Sequence, residues 1–170
     1  MDLIDLVRNA NLEELNRLIP IVDYKDLTVR DGNRNGNYLL TNLLLARKHN
    51  LKWHSIKNSS IISLIKKLIY RLEYKELVSD MILDTLCRRC SSGNKNENKK
   101  NILLYLSIFK IMLLRLDPSI WMTMQYGDTW PSLIDTITIC HSSKIRELLT
   151  RFGISPGCIV DTVKWTKKII

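Results

Sequence analysis

The sequence predicts an all-α globular domain. Apolar residues recur at three- and four-residue steps through most of the chain, the spacing of a helical face. The apolar share of 45% and charged share of 25% are those of a chain that folds by itself. One segment, 101–115, is apolar nearly all round, as a helix enclosed by others should be. A chain of 170 residues fits one domain, in which folding hides roughly 70% of the surface of the extended chain. The expectation is therefore one irregular domain over 1–170, with about six to nine helices around 101–115.

The elements follow in order. Leu3, Ile4, Leu6 and Val7, then Leu12, Leu15, Leu18 and Ile19, mark one helical face, and the pair Asn11 and Glu14 has capping-box spacing, so a break near Ala10 is expected. Pro20 closes this element. Residues 21–30 alternate weakly, which allows a short β element near 21–38, and Asp31-Gly32-Asn33-Arg34-Asn35-Gly36-Asn37 is a turn cluster. Helix returns from Tyr38 to about His49. After a link through Trp53 and His54, Ser59 or Ser60 is placed to cap a helix whose inner face carries Ile61, Ile62, Leu64, Ile65, Leu68, Ile69 and Leu72. A further helix runs from Tyr74 towards Cys90, and 91–100 is a polar, low-complexity loop expected to be mobile. Beyond 101–115, Asp117-Pro118 stops one helix and starts another, and shorter helices are expected near 120–125, 131–140 and 142–152, with a docked or free tail after Gly157.

No period of repetition extends along the chain. Asn11-Leu12-Glu13-Glu14-Leu15, followed by Asp31-Gly32-Asn33, loosely resembles the outer helix and following turn of an ankyrin repeat. The Thr-Pro-Leu-His signature is missing and the pattern does not recur after residue 50, so the expected fold stays an irregular helical domain.

No enzyme motif emerges. Cys87-Arg88-Arg89-Cys90 has the spacing of zinc and thiol-redox sites, but Cys140-His141 is the one candidate second pair, and neighbours on a helix diverge by about 100°. The preferred reading makes Cys87 and Cys90 small core residues at a helix end, with zinc and redox roles as alternatives. His49, His54 and His141 fit no hydrolytic motif, and no phosphate-cradling glycine run occurs. No catalytic residue, metal or cofactor is expected. Two acids in the first six residues argue against a secretory leader, and the run from Ile102 to Leu116 falls short of the ~20 residues needed to span a bilayer. The chain is expected inside the cell, in the cytoplasm with nuclear entry left open, and its four cysteines reduced.

The charge distribution carries the functional signal. Residues 1–31 hold seven acids against four Lys/Arg, whereas 32–72 hold eight Lys/Arg and no acid. Arg47, Lys48 and Lys52 cluster where one helix ends, and Lys66, Lys67 and Arg71 share the polar side of the next. Such clusters bind phosphates or an acidic protein surface, or else balance acids within the fold. Trp53, Tyr38 and Tyr70 lie among them as possible stacking platforms for bases. Tyr126 and Trp130 form an aromatic turn that either plugs the core or anchors a partner. The leading expectation is a non-enzymatic module that binds a macromolecule through the basic face and aromatic turn. The alternative is a non-specific RNA- or DNA-binding protein using 47–71. A short Asn/Lys/Ile-rich helical chain of this kind also suits a small viral accessory protein that binds a host signalling or antiviral factor.

Overall fold

The computed structural model describes residues 2–29, 38–73 and 99–115, together with 77, 85, 86, 147, 148 and 151. Among these the fold is all-α, with no strand or sheet. Six α-helices have defined bounds: α1 (Leu3–Arg8), α2 (Leu12–Leu18), α3 (Tyr24–Leu27), α4 (Leu39–His49), α5 (Asn58–Arg71) and α6 (Lys99–Arg115). A 3₁₀ turn, Leu51–Ser55, joins α4 to α5.

The break expected near Ala10 is a complete Schellman motif. The Asn11 amide bonds the Leu6 carbonyl at 3.0 Å and the Ala10 amide bonds Val7 at 3.1 Å. Ala10 has φ 56°, the left-handed conformation that this position requires and that a β-carbon disfavours. Asn11 then starts α2, its Oδ1 accepting from the Glu14 amide at 3.1 Å. The reciprocal half of the capping box is replaced, because the Glu14 carboxylate is taken by Arg17.

The possible β element near 21–38 forms no strand among the described residues, where Tyr38 makes an isolated bridge. Asp23 instead begins the single helical turn α3. Leu27 is buried there, and the Thr28 hydroxyl donates back to the Lys25 carbonyl at 3.1 Å, so one apolar anchor and a local side-chain bond favour helix over extended chain. Residues 30–37, with the predicted turn cluster, lie outside the described set, as does the Asp31-Gly32-Asn33 part of the ankyrin-like fragment. Helix α5 starts earlier than expected. Its N-cap is Lys57, and Ser59 and Ser60 fall inside the first turn.

Helices α1 and α2 form one hairpin and α4 and α5 a second, stacked so that α1 packs on α4 and α2 on α5. Helix α6 lies against α5. It buries Leu104, Tyr105, Ile108, Phe109, Met112 and Leu113, while Leu103, Lys110 and Leu114 reach solvent, so its sequence is more evenly apolar than its surroundings. Leu77 and Leu86 join the same buried cluster, and Leu148 packs against it. Among the described residues no helix is long and apolar enough to cross a membrane.

Candidate interaction surface

Three cations of the 47–71 segment are engaged within the fold, Arg47 inside the second hairpin and Lys67 and Arg71 across to the first. Arg47 is only 4% exposed. Its position follows from spacing: residues 40, 43 and 44 are buried, and 47 is the next step on that face. The guanidinium donates to the Asn58 side-chain carbonyl and to the backbone carbonyls of Ile56 (3.2 Å) and His54 (3.5 Å). Its Nε has no acceptor among the described residues. Burial pulls its pKa below the ordinary guanidinium value, against a smaller opposing effect from Tyr105. Arg47 was expected on the exposed basic face; it is instead a buried clasp over the 3₁₀ turn.

Arg71 is half-buried and donates to the Ile19 carbonyl at the C-terminal end of α2. Lys67 is exposed but reaches across to the Asn16 Oδ1 of α2 at 3.0 Å. A cation at a helix C-terminus meets both its unpaired carbonyls and the negative end of its dipole, which explains why α5 leans its basic side on α2. The end of α1 is satisfied similarly. Trp53 Nε1 donates to the Val7 carbonyl at 2.8 Å, and Asn50 Nδ2 donates to the Arg8 carbonyl. Trp53 is fully buried, so the expected stacking platform for bases is absent at that residue.

What remains towards solvent is smaller and differently composed. Lys52, His54 and Lys57 are exposed around the 3₁₀ turn, and Ser59, Ser63, Lys66 and Tyr70 form the outer stripe of α5. The Lys66 ammonium lies 5.9 Å from the centre of the Tyr70 ring, within cation–π range. Tyr38 is half-buried. Lys57 and the exposed Leu51 were not among the predicted site residues, although Lys57 could have been found from the same acid-free run. The Lys48 and His49 side chains lie outside the described residues, as do Tyr126, Trp130, all four cysteines, His141 and positions 91–98 of the expected polar loop, whereas Lys99 and Lys100, expected in that loop, are instead the first residues of α6. Among the described residues no group of His, Cys, Asp and Glu is arranged to hold a metal ion. Comparison with family models, with curated proteins and with solved structures finds no match.

Proposed function

We propose that the chain is a non-enzymatic interaction module whose partner is a protein with an acidic surface. The observation that carries this reading is the division of labour among the cations. Among the described cations of 47–71, Arg47, Lys67 and Arg71 are engaged within the fold, leaving Lys52 and Lys57 exposed at the turn before α5 and Lys66 exposed beside the aromatic ring of Tyr70. Phosphate contacts from these three described cations would give a salt slope of about −2.7, shallower than that of a protein making six to ten such contacts. The exposed Tyr70 ring, a residue type enriched at protein interfaces, and lysines able to meet carboxylates on a partner's rim support a protein interface. The aromatic turn at Tyr126 and Trp130 is a second anchor in this proposal. A host signalling or antiviral protein is the class of partner to test first, given the composition of a small viral accessory protein.

The second reading is non-specific RNA or DNA binding, favoured by the Lys66–Tyr70 pair, which offers a charged edge and a stacking face together. Affinity capture from cell extract with and without nuclease, run with wild type and a Lys52→Glu, Lys66→Glu variant, separates the two. A captured protein that survives nuclease and is lost in the variant is expected. Capture abolished by nuclease, or tight binding of labelled single- or double-stranded RNA or DNA with a steep salt dependence, would overturn the protein reading.

A further inference from the structure

The turn between α4 and α5 is held from beneath by three side chains. Trp53 is enclosed and bonded to Val7; Asn50 joins the Arg8 carbonyl and accepts from the Lys52 amide at 2.9 Å; Arg47 grips the His54 and Ile56 carbonyls and Asn58. Burying a guanidinium against neutral acceptors is unfavourable unless hydrogen bonds offset the lost hydration. A surface connection does not require this, since water satisfies its backbone. Held this way, the turn presents Leu51 outward at 83% exposure, the highest among the large apolar side chains of the described residues. Lys52, His54, Ser55 and Lys57, on the same turn and its exit into α5, are also exposed. Helix α5 starts in the same place with no acid in its first turn, so its dipole adds to the positive field.

We infer that Leu51–Lys57 is a preorganised docking knob: Leu51 enters an apolar pocket on a protein partner, and carboxylates on the pocket rim meet Lys52 and Lys57. The inference rests on the interaction-module reading and narrows it from the α5 stripe to this turn. Charge complementarity sets the chemistry of the partner, because the sequence has no acid anywhere from 32 to 72. A basic rim would be repelled. Rigidity supplies the rest, since a turn already fixed from below loses little conformational freedom on binding, and one apolar anchor flanked by charges then suffices.

The test uses random linear peptides displayed on phage and selected against the full chain. Enriched peptides are synthesised and measured against wild type, L51D, K52E/K57E, K66E/Y70A and L103D, each variant checked for unchanged helical circular dichroism, with L51S replacing L51D if that signal falls. The expected peptides combine Asp or Glu with an aromatic or aliphatic residue. Their affinity drops by about tenfold or more in L51D and K52E/K57E and is unchanged in the other two. Affinity that follows Lys66 and Tyr70 instead removes the knob but leaves the broader reading standing. Peptides that bind every variant alike, or the enrichment of none, remove both. Sedimentation of the free chain closes the remaining route: self-association that L51D abolishes would make the occupant a second copy and overturn the inference.

Discussion

At the scale of single residues, the side chains that matter most are those whose surroundings contradict their chemical type. Arg47 is the clearest, a guanidinium enclosed with three neutral acceptors. Arg47→Lys keeps the charge but cannot span the acceptors, leaving buried carbonyls unpaired, and should lower unfolding free energy by about 2–3 kcal/mol in urea titration. The spacing 40, 43, 44, 47 made this burial legible in the sequence, yet charge alone assigned the residue to the surface. Trp53 was hidden for another reason: its partner Val7 is 46 residues away, and no local pattern reports such a bond. Glu14 is a contrasting, half-buried case at the surface. The Arg17 fork, with Nε at 2.8 Å from Oε2, holds its carboxyl below the usual range by hydrogen bonding, and burial opposes this slightly. A lowered folded-state pKa contributes stability that is present above the ordinary glutamate value and disappears as pH falls through the folded one. In Arg17→Ala, the Glu14 carboxyl followed by NMR should titrate at a higher pH than in wild type.

At the scale of elements, local chemistry was read well and connections less so. The periodicity of Leu39–Leu44, of Ile61–Leu72 and of 101–115 each became a helix, because an apolar stripe stabilises only the conformation that buries it whole. The break at Ala10 was legible from Asn11 and Glu14. Its left-handed residue was not, since alanine gives no hint of positive φ. That mismatch yields a prediction: Ala10→Gly relieves the β-carbon clash at the Schellman position, offset partly by greater freedom of the unfolded chain, and should stabilise by about 0.5–1 kcal/mol. Thermal melts of the two proteins decide it; a lower melting temperature for the glycine variant would contradict the account. Helix α3 was missed because four residues are too few for any period to emerge, and its burial of Leu27 depends on neighbours distant in sequence.

At the scale of the whole molecule, the charge asymmetry between the first 31 residues and the next forty-one was visible at once, but its meaning was divided. Part of it binds the molecule to itself. Arg71→Glu should therefore destabilise the fold by about 1–3 kcal/mol through loss of the Ile19 bond, whereas Lys66→Glu, with its ammonium in solvent, should stay within about 0.5 kcal/mol. Chemical denaturation of both distinguishes structural from available cations, and equal losses would sink the division. Sequence alone could not separate them, because Lys66, Lys67 and Arg71 share one side of a helix and differ only in whether α2 lies within reach. The ties between the hairpins have a temporal side as well. Four of them run one way, from donors in the second hairpin to acceptors in the first: Asn50 to Arg8, Trp53 to Val7, Lys67 to Asn16, Arg71 to Ile19, at separations of 42 to 52 residues. On the ribosome, at about 5–20 residues per second, the first hairpin waits roughly 2–10 s for the groups that tie it to the second. A newborn chain stalled before Asn50 would carry the Schellman bonds of α1 but leave the Arg8 and Ile19 carbonyls without these side-chain partners, so synthesis rate across that interval sets the earliest moment at which the two hairpins can be tied together.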